Sequence, residues 1–375
     1  MDIGESAVKW KTIKELGIDM EKIELRYGHH TGAPPPPRAS QRAPVARATP
    51  RSPSAANAGL PELKDEIAKF YDGLSTDHVI VTSGGSEAIF SIYAALMKPG
   101  DHMVCETPNY PSNYGIPQGL GQDVTLCSMD FEDDYRLNLD KIKSMVQPNT
   151  KVLSICHPNN PTGCCITVEE LQNLVDFCRE KDIYLLSDET YREMYLEDPP
   201  PAACTLYDKA ISITSMSKCY GIPGCRIGWL ACKDQHLLDE VLTVREYVSI
   251  TNNSVGEVLA TEVLKRGEEM MAEHREHIAI NKAIVCEWVD NHEHIEWVYP
   301  EVGVVGFPRL KDHVVEALDH PNDLFVLLAD KYRTFTVPGG MMDCDPRHFR
   351  VGFGAFPEEL KQGLQNFDDA LAELL

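Results

Sequence analysis

The chain has 375 residues, more than a single hydrophobic core usually serves, so two domains or one large domain with an appendage are expected. A formal charge of -23, from 58 acidic against 35 basic residues, disfavours nucleic acid and anionic membrane as partners and leaves small anions dependent on local basic clamps. No apolar run approaches the roughly 20 residues of a membrane span, and Met1 to Ser6 has neither a basic nor an apolar leader, so a cytosolic protein is expected.

Residues 33–59 differ in texture from what surrounds them. These 27 positions hold seven prolines, eight alanines and four arginines with no acid, and Val45 is the only sizeable aliphatic, so they cannot form a core. They read either as a disordered basic loop or as an inserted sequence such as a retained intron. From residue 76 the chain alternates short β-branched runs with helical patterns. Val79–Thr82 reads as a strand, Ser83–Ser86 as a turn and Glu87–Met97 as a helix. Further strands are expected at Met103–Cys105, Val152–Cys156, Ile183–Leu186, Ala210–Thr214 and Ile227–Cys232, with a helix at Val168–Lys181. This rhythm predicts an α/β fold whose mainly parallel sheet lies between helices, with ligands bound beyond the carboxyl ends of the strands.

A long charged helical stretch is expected from about Glu257 to Asn291. After it come short strands at Val302–Phe307, Thr334–Val337 and Phe349–Phe353, with helices near Asn322–Lys331 and Glu358–Leu374, the pattern of a smaller α+β domain. The expected division is an N-terminal segment of the small domain with a dimer contact (1–32), the insertion (33–59), a large domain (60–265), an interdomain helix (266–290) and a C-terminal small domain (291–375). The twelve cysteines contain no CxxC pair and several lie in apolar runs, so buried free thiols are expected; vicinal Cys164 and Cys165 leave a redox role open.

The polar clusters follow the strands. Lys218 lies behind Ser215 and Ser217 with Arg226 eight positions on, an amine nucleophile beside an anion clamp, as an aldehyde cofactor bearing a phosphate requires. His157-Pro158-Asn159-Asn160-Pro161-Thr162-Gly163 follows one strand and Ser187-Asp188-Glu189-Thr190-Tyr191 the next. Singly, each motif has a plainer reading: a surface lysine, a turn begun by Asn160, a helix cap at Asp188, a packed Tyr110, a surface Arg350.

Taken in order, these motifs resemble the class I/II aminotransferases, fold type I pyridoxal-phosphate enzymes, over nearly everything outside residues 33–59. The resemblance implies a seven-stranded-type sheet in the large domain, a smaller domain built from both terminal segments, a homodimer, and pyridoxal 5'-phosphate with no metal. It implies that Lys218 forms the Schiff base and moves a proton, that Asp188 pairs with the pyridine nitrogen, and that Asn160 and Tyr191 bond the ring's 3-oxygen. Tyr110 would stack on the ring; Gly85, Ser86, Ser215, Ser217 and Arg226 would hold the phosphate. Arg350 would grip the substrate carboxylate bidentately, with Asn160 and Gly4 nearby. The activity implied is transfer of an amino group between an α-amino acid and a 2-oxo acid. A lyase or cyclase acting after the same deprotonation is the alternative within enzymes, and a silent binding protein the alternative outside them.

The N-terminal part departs from the family pattern. A tyrosine, four intervening residues, then a glycine and a Leu-Pro-Glu-Leu-like helix start are expected, the tyrosine reaching the partner subunit's phosphate. Ahead of Gly59-Leu60-Pro61-Glu62-Leu63 stands Ser54, while Tyr27-Gly28-His29-His30-Thr31-Gly32 carries the missing half. Removing residues 33–59 joins Gly32 to Leu60, so Tyr27 is the expected ligand. Asp2-Ile3-Gly4 leading to Ile13-Lys14-Glu15-Leu16, Lys218 to Gly224, Arg245-Glu246-Tyr247 and Gly303 to Arg309 are, in addition, similar to capreomycidine synthase-like enzymes, which eliminate a β-hydroxyl and cyclise an arginine derivative.

Overall fold

The computed structural model describes residues 2–9, 11–18, 58–195 and 199–375. Seven strands form the central sheet: β1 (Val79–Thr82), β2 (His102–Thr107), β3 (Asp123–Ser128), β4 (Thr150–Cys156), β5 (Tyr184–Asp188), β6 (Ala210–Ser215) and β7 (Gly228–Cys232). Their order is β1-β7-β6-β5-β4-β2-β3, and only β7 runs antiparallel to its neighbours. The central strands are buried along almost their whole length, as a sheet covered by helices on both faces requires. One face packs Ala88, Ile89 and Ile92 of helix Gly85–Leu96 with Leu237, Leu238 and Val241 of helix Gln235–Val248. The other takes Leu171, Leu174, Val175 and Cys178 of helix Val168–Lys181. That helix starts at a reciprocal Thr167–Glu170 cap, which satisfies two otherwise orphaned amides.

Three features differ from the expectation. β3 is an edge strand, mostly half-exposed, so its residues lack the continuous apolar run that marks the buried strands. Helix Gln235–Val248 carries its inward stripe as Leu237, Leu238, Val241, Leu242 and a fully buried arginine, Arg245, which dilutes the apolar pattern. The single helix expected from Glu257 to Asn291 is two, Ser254–Lys265 and Gly267–Asp290. The break falls at Arg266, whose guanidinium donates to the Leu16 carbonyl at 2.8 Å, ahead of a glycine that favours helices poorly.

Both terminal segments build the smaller α+β part. Strand Phe349–Gly352 pairs with Val337–Pro338 on one side and Val305–Gly306 on the other. Residues 2–9 lie against it, with Ile3 donating to the Phe335 carbonyl and accepting from Gly352, and then cross to the lysine loop, where the Val8 amide donates to Lys218 O. Of the segment 33–59, only Ala58 and Gly59 fall within the described residues, and both are buried. Tyr27 lies outside the described residues. The cysteines are free thiols, all buried but Cys225 and Cys344; burial raises the Cys164 and Cys165 thiols to about 11 and about 12, far from a reactive thiolate at neutral pH. Among the described residues no helix is long and apolar enough to cross a membrane.

Candidate active site

A cavity of about 230 Å³ opens beyond the carboxyl ends of β1, β4, β5 and β6. The register explains why distant motifs meet there: Gly228 of β7 pairs with Thr82 on one side and Ser215 on the other, bringing the turn after β1 next to the lysine loop. Gly85, Ser86, Tyr110, Asn160, Asp188, Tyr191, Ser215, Ser217, Lys218 and Arg226 all line this cavity.

At one end lies an anion cradle. Helix Gly85–Leu96 starts without a side-chain cap, so its first amides and the positive end of its dipole are left to an external anion. Facing it, Ser215 Oγ donates to Ser217 Oγ at 2.9 Å, and Arg226 Nη1 reaches Ser217 Oγ at 3.5 Å. Arg226 also donates to the carbonyls of Pro223 (3.1 Å) and Ser83 (3.3 Å), which fixes the guanidinium across the turn. Gly84 at φ 86° makes that approach feasible, since a Cβ there would stand 2.7 Å from an Arg226 nitrogen.

At the other end Asp188 is buried. Its Oδ1 accepts from the Thr190 amide and hydroxyl at 3.2 and 2.6 Å, and its Oδ2 from Asn113 at a weak 3.4 Å. All these donors are neutral, and burial raises the carboxyl pKa. Such a carboxylate favours a cationic N–H at its open oxygen. Asn113 is itself held by Asn109 Oδ1 at 2.9 Å, which also receives the Tyr110 amide at 2.6 Å, so the exposed ring of Tyr110 and the acid share one support.

Asn160 ends a loop tied to a buried carboxylate. Glu106 Oε1 accepts from the Cys156 amide at 2.5 Å and from Asn159 Nδ2 at 3.3 Å, while its Oε2 accepts from His157 Nε2 at 3.0 Å. Burial pushes the His157 pKa down, but the Glu106 carboxylate more than offsets this and leaves it raised. Lys218 Nζ donates to Ser6 Oγ at 2.9 Å and to Glu5 Oε1 at 3.2 Å. Burial lowers the amine's pKa while Glu5 opposes the shift, a balance suited to a nucleophile that must shed its proton. Tyr191 donates to the Ser6 carbonyl at 3.3 Å, and burial raises its pKa.

Arg350 borders the cavity rather than lining it. Its Nη1 donates to Asn160 Oδ1 at 3.0 Å, and its Nε and Nη2 to the Gly4 carbonyl at 3.2 and 2.8 Å. Gly4 thus stands behind the arginine. Sequence reasoning did not single out Glu5, Ser6, Thr190 or Asn113. Thr190 was legible two positions after Asp188; the other three are brought in by packing across the fold and carry no local signal.

The sequence profile described as Aminotransferase class I and II matches residues 19–367. The chain belongs to this family. It is similar to capreomycidine synthase of Streptomyces vinaceus, 28% identical over 297 residues that cover 78% of this chain and 75% of that protein. It is also 28% identical over 336 residues to a probable aspartate/prephenate aminotransferase of Aquifex aeolicus (strain VF5), covering 85% of this chain and 84% of that one. The crystal structure of a PLP-dependent aminotransferase from Streptococcus suis 89-1591 superposes with a TM-score of 0.85 at 27% identity, over 100% of this chain and 94% of that chain. The cofactor of this aminotransferase is pyridoxal 5'-phosphate. Its residues fit that group: the uncapped helix with Ser215, Ser217 and Arg226 suits a phosphate, and buried Asp188 with only neutral donors suits a ring N–H.

Proposed function

We propose that this aminotransferase moves an amino group between an α-amino acid and a 2-oxo acid at the cavity holding Lys218, Asp188 and Asn160. The observation that carries this reading is the placement of Lys218 Nζ in one cavity with the anion cradle and the buried carboxylate. When bound, pyridoxal phosphate supplies an aldehyde that takes up amino groups and an electron-poor ring that accepts the electron pair left at the substrate Cα. Gly85, Ser86, Ser215, Ser217 and Arg226 would hold its phosphate, Asp188 would keep a proton on its ring nitrogen, and Tyr110 would pack against the ring. Asn160 Oδ1 accepts from Arg350, which leaves the Nδ2 donors for the ring's 3-oxygen, and the Tyr191 hydroxyl would join them by turning from the Ser6 carbonyl. Lys218 Nζ takes the Cα proton and returns it.

Arg350 binds the substrate carboxylate. Five N–H groups are available on a guanidinium and three are engaged by Gly4 and Asn160, so two remain for the carboxylate. The test is a panel of amino acids assayed with and without 2-oxoglutarate, alongside Lys218→Ala. Product that requires the oxo acid and is lost in Lys218→Ala supports transamination. Product formed without any oxo acid replaces it with an elimination or cyclisation, a reaction type consistent with the similarity to capreomycidine synthase.

The same reading includes a homodimer, with Tyr27 of each chain serving the phosphate of the other. It is supported by an exposed apolar edge at the end of helix Gln235–Val248: Tyr247 is 88% exposed, followed by Val248 and Ile250. This edge lies beside the cradle, because Ser249 Oγ donates to Glu87 and Glu87 accepts from the Ser83 amide. Tyr247→Asp should convert the dimer to a monomer by light scattering and weaken cofactor retention; a wild-type monomer that retains the cofactor equally well would refute it.

A further inference from the structure

The charges at the cavity can be paired one by one, and one is left over. Lys218 and Arg226 line it, Arg350 borders it, and the acids among the lining residues are Asp188 and Glu5. Under the reading proposed above, on which this inference rests, Arg226 is taken by the cofactor phosphate, Asp188 by the ring nitrogen and Arg350 by the substrate carboxylate. Lys218 has no free ammonium to offer while its amine is held by the aldehyde. Glu5 then loses its ion pair, the 3.2 Å contact with Lys218 Nζ. Its side chain is 42% exposed and lines the cavity, held there because Gly4 before it and Ser6 after it are fixed by Arg350, Lys218 and Tyr191.

A carboxylate left unpaired in a partly desolvated site repels acidic ligands and attracts cationic ones. The three cations at the cavity are thus committed to other groups, and the described residues lining it offer no further one for a second substrate carboxylate. We propose that Glu5 is a specificity-determining residue that selects amino-acid substrates whose side chains carry an ammonium or guanidinium group and disfavours aspartate and glutamate. A structural role, in which Glu5 merely orients Lys218, would affect every substrate alike.

The experiment compares L-lysine, L-ornithine and L-arginine with L-norleucine and L-aspartate on the cofactor-loaded enzyme, in wild type and Glu5→Gln. L-norleucine is L-lysine without its ammonium, so the ratio of their kcat/KM values isolates the charge. Binding of the same ligands is also measured by calorimetry, at low and high salt. Wild type should favour at least one of the three cationic amino acids over L-norleucine by roughly tenfold, the scale of a hydrogen bond to a charged group, with L-aspartate poorest. Glu5→Gln should collapse that ratio toward one, and raised salt should weaken the binding preference. A wild type that prefers L-norleucine or L-aspartate, or a Glu5→Gln variant that lowers all substrates in proportion, overturns the proposal. The wild-type comparison stands alone if Glu5→Gln is poorly folded. Failure of the underlying reading would appear differently, as product formation unaffected by Lys218→Ala.

Discussion

Arg350 Nη1 donates to Asn160 Oδ1 across 3.0 Å, joining a strand of the small domain to the loop that follows β4. The bond does two things at once: it orients the Asn160 amide so that its N–H donors face the cavity, and it places a guanidinium next to them. Replacing Arg350 with lysine keeps the charge but loses the planar fork, so Asn160 becomes free to rotate. Arg350→Lys is expected to raise KM for the amino acid and lower kcat/KM by roughly 10- to 100-fold, the worth of one or two charged hydrogen bonds. A shift in the cofactor's absorption should accompany it, because the ring's 3-oxygen loses a fixed donor. Steady-state kinetics with a visible spectrum checks both; unchanged kcat/KM would remove Arg350 from substrate binding.

The anion cradle depends on a glycine. A methyl at Gly84 would have to displace Arg226 and adopt a positive φ that alanine resists. Gly84→Ala should therefore weaken cofactor binding by about tenfold or more while leaving the fold intact, the scale of losing one charge-assisted contact. Spectrophotometric titration of apoenzyme with pyridoxal phosphate gives the dissociation constant. Inorganic phosphate should protect the wild type from thermal unfolding more than the variant.

Behind that cradle, Arg245 and Glu87 form a buried ion pair at 3.1 Å with the arginine side chain fully inaccessible. Burial pushes the Glu87 carboxyl up, but Arg245 and the Ser249 hydroxyl outweigh this and hold it below the ordinary range. Removing one partner strands a charge, at a cost of about 3–5 kcal/mol. Arg245→Met should lower Tm sharply, and Glu87→Gln on the same background should recover part of the loss. Denaturant unfolding of the single and double variants measures the coupling; independent, additive losses would contradict the pairing.

How far the sequence carried the fold follows from where each signal resides. The strands β1, β4, β5, β6 and β7 are buried on both faces and so appear as runs of apolar residues; Asp188 ends β5, and Asn160 and Lys218 follow β4 and β6 within four positions. Edge strand β3 and the arginine-bearing helix Gln235–Val248 break those patterns, because solvent on one face and a buried ion pair on the other permit polar residues where apolar ones are expected. Glu5 and Ser6 were illegible for another reason. Their contacts with Lys218 span more than 200 residues of sequence and exist only because residues 2–9 pass between strand Phe349–Gly352 and the lysine loop.

His348 gives a pH signature. It stacks on Phe307, with ring centroids 5.0 Å apart, and its Nδ1 donates to the Asp345 carbonyl. Burial drives its pKa down to about 4, against the raising effect of Asp345; Arg309 and Arg347 lower it further. The folded protein therefore holds this ring neutral while an unfolded chain protonates it near pH 6.5. Its contribution is present above about pH 6.5 and lost as pH falls toward 4, up to about 3 kcal/mol in total. His348→Phe should flatten the fall in stability between pH 6.5 and 4, measured by urea unfolding at several pH values. An equally steep fall in the variant would assign the acid sensitivity elsewhere.

The final two residues of the segment 33–59, Ala58 and Gly59, are buried. Gly59 adopts φ 119°, a Cβ there would lie 2.4 Å from Val81, and the next amide, Leu60 N, donates to Glu257 at 3.0 Å. Only glycine suits that position. Deleting residues 33–59 places Gly32 there and Thr31 where Ala58 stands, so the requirement is met by the sequence that precedes the segment. The same deletion sets Tyr27 five positions ahead of the glycine, restoring the spacing that the segment interrupts. The shortened protein should fold with a Tm at or above that of the full chain, because a shorter connection closes at lower entropic cost. It should also bind pyridoxal phosphate more tightly, and Tyr27→Phe should reverse that gain. Loss of folding on deletion, or tighter binding that survives Tyr27→Phe, would show that the segment or another residue supplies what Tyr27 is expected to give.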